Sequence, residues 1–348
     1  MSQVSLYRPV LTKTLKLLWQ NKSLWFFGFF AALLGAGELE ILFSVNKDWS
    51  SSLGIISGFI QLILSTISDF VTALIQQSNG HVWASVWGTL VSSPITFIIF
   101  LASLLLGLAV MVFFVWLAVV SQIALIKNTY LIAKNKKITI NEGIDFAVKK
   151  FWPVLVINIS IKAFIVALMF ILSQQIALQS LSPFVAVTLY LISFLVFILA
   201  IMTVSYIVKY QLFFMIIKEQ GYSDALHSAL MTFRDNWLVI LELGVATYGI
   251  VFVVFFISQY VLNFFWGQIP FDLLVYYKAT AGTWIILSLV SSLIGLLFAI
   301  LITAATSAFQ WVCWVLVFNQ MVDGQAISKL NRISDKIADK VSNYLSRK

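Results

Sequence analysis

Apolar residues gather in six long runs, at 24–45, 94–126, 153–176, 184–217, 238–265 and 284–322. A helix needs about 20 apolar residues to cross a bilayer, so each run predicts a crossing. The second, fourth and sixth runs are longest, spanning roughly 50 Å at a helical rise of about 1.5 Å per residue. That exceeds the ~30 Å hydrocarbon core, so these helices must tilt or project beyond it under a cover of protein. Short and long runs alternate, which is the first sign of a repeat.

Each short run is preceded by an amphipathic segment that carries basic residues and ends at a tryptophan. Tyr7 to Lys22 leads to Trp25, Asn141 to Lys150 leads to Trp152, and Ser223 to Asp235 leads to Trp237. Their apolar positions have helical spacing: Leu11, Leu15 and Leu18; Ile144, Val148 and Phe151; Leu226, Leu230 and Phe233. Basic amphipathic helices lie in the membrane interface, where Trp is also favoured. The predicted unit is an elbow helix, a short crossing and a long return crossing. Gln122, Gln211 and Gln310 mark corresponding places toward the C-terminal ends of the long runs.

Two further segments are amphipathic. Residues 53–77 carry Ile56, Ile60, Ile63, Ile67, Phe70 and Leu74 on one face and Gln61, Ser65, Asp69, Thr72 and Gln76 on the other. As a crossing this segment would reverse the charge pattern, so an outer-face helix is expected, with a re-entrant position as the alternative. The tail, 323–348, sets Ile327, Leu330, Ile333, Ile337, Val341 and Leu345 against Lys329, Arg332, Lys336 and Lys340. It reads as a basic helix on the inner leaflet.

The expected architecture is therefore all-α: a polytopic membrane helical bundle forming one integral membrane domain over 1–348. It has six transmembrane helices in three elbow-plus-hairpin repeats, at 1–126, 127–218 and 219–322. Of the 22 Lys and Arg residues, all but Lys47, Lys162 and Lys278 fall on one side of this topology. Cationic loops stay cytoplasmic, so both termini are placed in the cytoplasm, in a membrane of bacterial inner-membrane type. Residues 24–34 imitate the core of a signal peptide, and Gly35-Ala36-Gly37 a cleavage site. The basic helix before them recurs twice downstream, so the segment is read as retained.

Composition agrees with this class. The chain is 61% hydrophobic and 10% charged, with mean hydropathy +0.98, whereas a soluble domain carries about 25% charged residues. The net charge of +8 flanks apolar spans, so the expected partners are membrane lipids with anionic headgroups and unknown proteins, not nucleic acid. Cys313 is the only cysteine, so no intrachain disulfide can form. His81 and His227 fall on opposite sides of the topology, so no metal set is expected. No cofactor or nucleotide motif occurs, and no nucleophile has a base at recognisable spacing.

Tyr222-Ser223-Asp224-Ala225-Leu226, Thr232-Phe233-Arg234-Asp235-Asn236-Trp237 and Trp19-Gln20-Asn21-Lys22-Ser23-Leu24-Trp25 each lead into an apolar crossing. In this pattern the chain resembles the glycerophosphoryl diester phosphodiesterase membrane domain and similar bacterial polytopic membrane families. The resemblance implies a helical bundle without catalysis, because activity in that family belongs to a separate soluble domain.

Few polar residues could carry chemistry. Lys162 lies about 15 Å beyond Trp152 by helical rise, near the midplane, with Asn158 one turn earlier. A charge at that depth costs at least about 2.5–3.5 kcal/mol and faces protein or water. It is either a binding group for an anion or a buried structural pair. Glu242 on the fifth run could pair with Lys209, which matches its depth, while Glu38 and Glu40 lie deeper and could approach Lys162. Thr303, Thr306, Ser307 and Gln310 share one helix face and either hydrogen-bond neighbouring helices or line a path with Gln122 and Gln211. Two functions follow: a non-catalytic scaffold or lipid-interacting protein, or a permease or channel for a small or amphipathic anion at Lys162.

Overall fold

The computed structural model describes residues 7–34, 94–136, 140–176, 183–270, 272 and 281–322. The expected helix at 53–77, the tail at 323–348, Glu38, Glu40 and His81 lie outside them. The described residues are all-α: α1 (Tyr7–Gln20), α2 (Ser23–Ala32), α3 (Pro94–Ala133), α4 (Ile140–Lys149), α5 (Phe151–Ile176), α6 (Pro183–Ile217), α7 (Tyr222–Asn263) with a π-helical turn at Phe264–Gln268, and α8 (Ala281–Val322). Helices α3, α5, α6, α7 and α8 are long and apolar enough to cross a membrane. The chain is an integral membrane protein built as a helical bundle. Of the first apolar run, the described part is α2, ten residues long, and the turn at Leu33 and Leu34 that follows it.

Packing divides the chain into two compact units, residues 33–119 and residues 1–32 with 120–348. The described part of the first is the N-terminal stretch of α3, whose Ile95, Ile98, Ile99, Leu105 and Leu106 are exposed. The second unit holds the rest of the described helices. Its core sits at one end: buried side chains cluster at 120–126 in α3, 154–165 in α5, 201–217 in α6, 239–247 in α7 and 304–321 in α8. The other halves of α6, α7 and α8 expose Leu189, Leu195, Phe255, Phe256, Leu289 and Leu297. An apolar surface of that extent belongs against lipid or another apolar partner.

Local chemistry explains where the elbows break. The Asn21 side-chain amide donates to Leu17 O at 2.9 Å, and the Asn236 amide donates to Thr232 O at 3.2 Å. In both cases an asparagine takes the carbonyl one turn back, which competes with the helical ladder. At Asn21 the chain separates α1 from α2; at Asn236 (φ −128°, ψ 20°) α7 kinks without ending. Between α4 and α5 the break falls at Lys150, and Pro153 sits in the first turn of α5, where a missing N–H is tolerated.

The apolar positions of the elbows divide between the bundle and the surface. Val10, Thr14 and Leu18 are buried on α1, Ala147 on α4, and Ala225 and Ala229 on the first part of α7. Leu15, Val148 and Leu230 are exposed. On α4 and the first part of α7 the buried side chains are alanines, which permit close approach, whereas α1 also buries Val10 and Leu18.

A close approach of backbones brings α2 against α8. Gly28 lies so near that a Cβ there would stand 2.6 Å from Ala304 O and 2.7 Å from Ala308 Cβ. Small residues at such crossings replace a hydrophobic drive that lipid does not supply. Gly28→Val should therefore destabilise the fold by about 1–3 kcal/mol through overpacking. Gly249, which has open space around it, should accept Ala with little change. Thermal unfolding in detergent of the two variants checks the contrast.

Candidate functional site

The best-formed polar constellation surrounds Lys209. Helix α6 carries Ser205, Tyr206 and Lys209 within one turn, α7 brings Tyr248, and α8 brings Trp314. Lys209 is buried, and its ammonium donates to the Tyr248 hydroxyl at 2.9 Å and to Ser205 Oγ at 3.5 Å. It also stands 5.4 Å from the centre of the Tyr248 ring, 5.7 Å from Trp314 and 5.9 Å from Tyr206. A cation at a ring face is held by the ring quadrupole, more strongly once desolvated. Gly244 on α7 makes room for this cage, because a Cβ there would overlap the Tyr206 hydroxyl. The arrangement solvates a charge inside an apolar bundle.

A second buried polar pair joins α3 to α5. The Asn158 amide donates to Gln122 Oε1 at 2.9 Å and to Val154 O at 3.0 Å, with both side chains buried. Asn158 thus turns toward Gln122. Lys162, one turn further along α5, is half-buried.

The other expected residues separate. Gln211 donates to the backbone carbonyl of Tyr222 at 3.4 Å, tying α6 to the start of the third elbow. Gln122 and Gln211 therefore serve different neighbours. On α8, Ser307 and Gln310 are buried, Thr306 is half-buried and Thr303 is exposed, so the expected stripe spans a burial boundary. Ser307 Oγ is buried without a hydrogen-bond partner. Glu242 is half-buried on α7.

Three features had no counterpart in the sequence reading. Thr14, Thr247 and Cys313 form a buried cluster where α1, α7 and α8 meet, with Thr247 Oγ1 3.9 Å from Cys313 Sγ and Thr14 beside the same sulfur. Gly143 of α4 lies against the side chain of Asn128, which a Cβ would approach to 2.6 Å. The aromatic cage itself was signalled only by Tyr206, Tyr248 and Trp314 lying inside spans rather than at their ends. Among the described residues no group of three or more His, Cys, Asp or Glu could hold a metal ion.

At the rim of the bundle, Lys127 bridges three elements. Its ammonium pairs with Glu219 at 2.8 Å, lies 3.4 Å from Ile216 O and sits 4.1 Å over the Phe146 ring. The hydrogen bond and charge of Lys127 hold the Glu219 carboxyl below its ordinary range. Glu219 also has a left-handed backbone (φ 58°), a conformation that costs energy for a residue with a Cβ. The ion pair anchors the turn that this conformation closes.

In comparisons with known proteins, no family model matches the chain, and neither a curated protein nor a solved structure matches it. The family resemblance rests on the residue pattern alone.

Two outcomes are expected. Asn158→Leu should cost about 1–3 kcal/mol by stranding the buried Gln122 carbonyl, and adding Gln122→Leu should recover much of that loss. Unfolding midpoints of the single and double variants measure the coupling. For Glu219, a lowered folded pKa means that its stabilising effect is present above the ordinary carboxylate range. That effect fades as pH falls through the lowered value. The effect is small because Glu219 is exposed, and Glu219→Gln should remove that part of the acid sensitivity in a melting series across pH.

Proposed function

We propose that this chain is a non-catalytic, lipid-interacting scaffold of a bacterial cytoplasmic membrane. The observation that carries this reading is the outward face of the three elbows. Leu15 and Trp19, Val148 and Trp152, and Leu230 and Trp237 are all exposed, next to exposed Lys13, Lys16, Lys149 and Arg234. Large apolar side chains beside cations suit the boundary between acyl chains and anionic headgroups. The packed end of the bundle lies at the same level as these elbows.

The six-span, three-repeat organisation with both termini cytoplasmic is part of the proposal. The asymmetry of Lys and Arg supports the orientation. The shared asparagine-to-carbonyl bond at the first and third elbows supports their equivalence. A permease for a small or amphipathic anion at Lys162 is the second reading, favoured by the half-buried position of that lysine. The Asn158–Gln122 bond weighs against it by occupying the amide that would share an anion with Lys162.

Extraction in native-membrane nanodiscs followed by lipid mass spectrometry tests the proposal. Anionic lipids should be enriched over the bulk membrane, and anion uptake by proteoliposomes should be the same for wild type and Lys162→Leu. Bulk-like lipid, or uptake lost only in Lys162→Leu, overturns the scaffold reading.

A further inference from the structure

The ends of α3 and α8 and the middle of α1 enclose a cleft of about 200 Å³, lined by Val10, Lys13, Ala133, Lys134, Leu316, Asn319 and Gln320. Its position follows from the chain. Ala133 is the last residue of α3, Gln320 lies two residues before the end of α8, and α1 is an elbow. The cleft therefore opens where two of the proposed crossings end, which in the proposed topology is the level of the lipid headgroups.

Its chemistry is divided. Lys13 on α1 and Lys134 in the turn that follows α3 are both exposed. Lys134 is steadied by the Tyr130 ring, 4.7 Å from its ammonium. Val10, Ala133 and Leu316 form an apolar side. On the third side, Gln320 Oε1 is buried and has no hydrogen-bond partner. A buried amide oxygen without a donor costs about 1–3 kcal/mol. Two cations suit a phosphate, and an orphan acceptor beside them suits a hydroxyl or ammonium on the same molecule.

From this we infer that the cleft binds the headgroup of one glycerophospholipid, with its phosphate between Lys13 and Lys134 and its headgroup hydroxyl or ammonium donating to Gln320. The apolar side faces the glycerol and first acyl carbons. This inference rests on the lipid-interacting reading and gives it a specific site. Phosphatidylglycerol and phosphatidylethanolamine carry the required donor, whereas phosphatidylcholine does not.

Native mass spectrometry of the full chain after delipidation, with one defined lipid added back at a time, tests it. Wild type should retain one phosphatidylglycerol or phosphatidylethanolamine and at least tenfold less phosphatidylcholine. Lys13→Ala with Lys134→Ala should lower that occupancy about tenfold, and Gln320→Leu should erase the preference over phosphatidylcholine. Lys22→Ala with Lys218→Ala, which removes the same charge outside the cleft, should leave occupancy unchanged. Equal retention by all variants overturns the inference, as does equal loss in the Lys22 and Lys218 control. Inorganic phosphate displacing the lipid at equal concentration would assign the cleft to free phosphate and overturn the lipid assignment. Melting curves matched to wild type confirm that the variants are folded. Anionic enrichment in native nanodiscs that persists in the cleft variants leaves the scaffold reading standing while the site fails; absence of enrichment in wild type removes the scaffold reading itself.

Discussion

The C-terminal half of α8 is the surface on which the second unit is assembled, and close approach is what makes that possible. Gly28, Ala304 and Ala308 let α2 lie against α8 at backbone distance. Between apolar helices in lipid, burial yields no gain over lipid contact, so dispersion at short range must supply the attraction. Once α2 is seated, α1 is carried onto the same helix, and Thr14 reaches Cys313. On its other sides α8 meets α7 through Cys313 and Thr247, and α6 through Trp314 and Phe318 against Tyr206, Tyr210 and Phe213.

Polar groups in this core follow a second constraint. A buried charge or amide in an apolar medium needs partners supplied by the protein. Lys209 meets it with a phenol, a hydroxyl and three ring faces. Asn158 and Gln122 meet it with each other. Both arrangements join neighbouring helices at the packed end. They turn polar side chains into fastenings between helices. Ser307 and Gln320 are among the buried groups that depart from this pattern, and Gln320 does so beside two lysines.

The elbow helices connect this architecture to the proposed role. Each approaches the bundle through alanine or threonine, joined on α1 by Val10 and Leu18, and each turns a large apolar residue (Leu15, Val148 or Leu230) and a tryptophan (Trp19, Trp152 or Trp237) outward. A soluble protein would bury the larger side chains, because their transfer from water is worth more. Facing them outward is tolerable where the surroundings are apolar. Facing lysine the same way is tolerable where headgroups are anionic. The two preferences coincide at the membrane interface.

Much of the plan was legible from residues alone. Run lengths dictated long apolar helices, and charge composition dictated a membrane environment. Asn21, Lys150-Phe151-Trp152-Pro153 and Asn236 marked the elbow breaks, because these residues act on their own local backbone. What the sequence could not decide was which side of each helix meets protein. In α8 the most apolar window is only 11% buried, and lipid and protein demand the same apolar residues there, so hydrophobic periodicity carries no direction. Leu15 therefore shared an apolar pattern with Leu18 although only Leu18 is buried, and Thr303 read with Ser307 although only Ser307 is buried. The pairing of Asn158 with Gln122, the ring cage of Lys209 and the cleft at Gln320 depend on helices distant in sequence coming within reach. Tertiary packing alone settled them, because a hydrogen bond or a ring contact is specified by position in space and not by residue type.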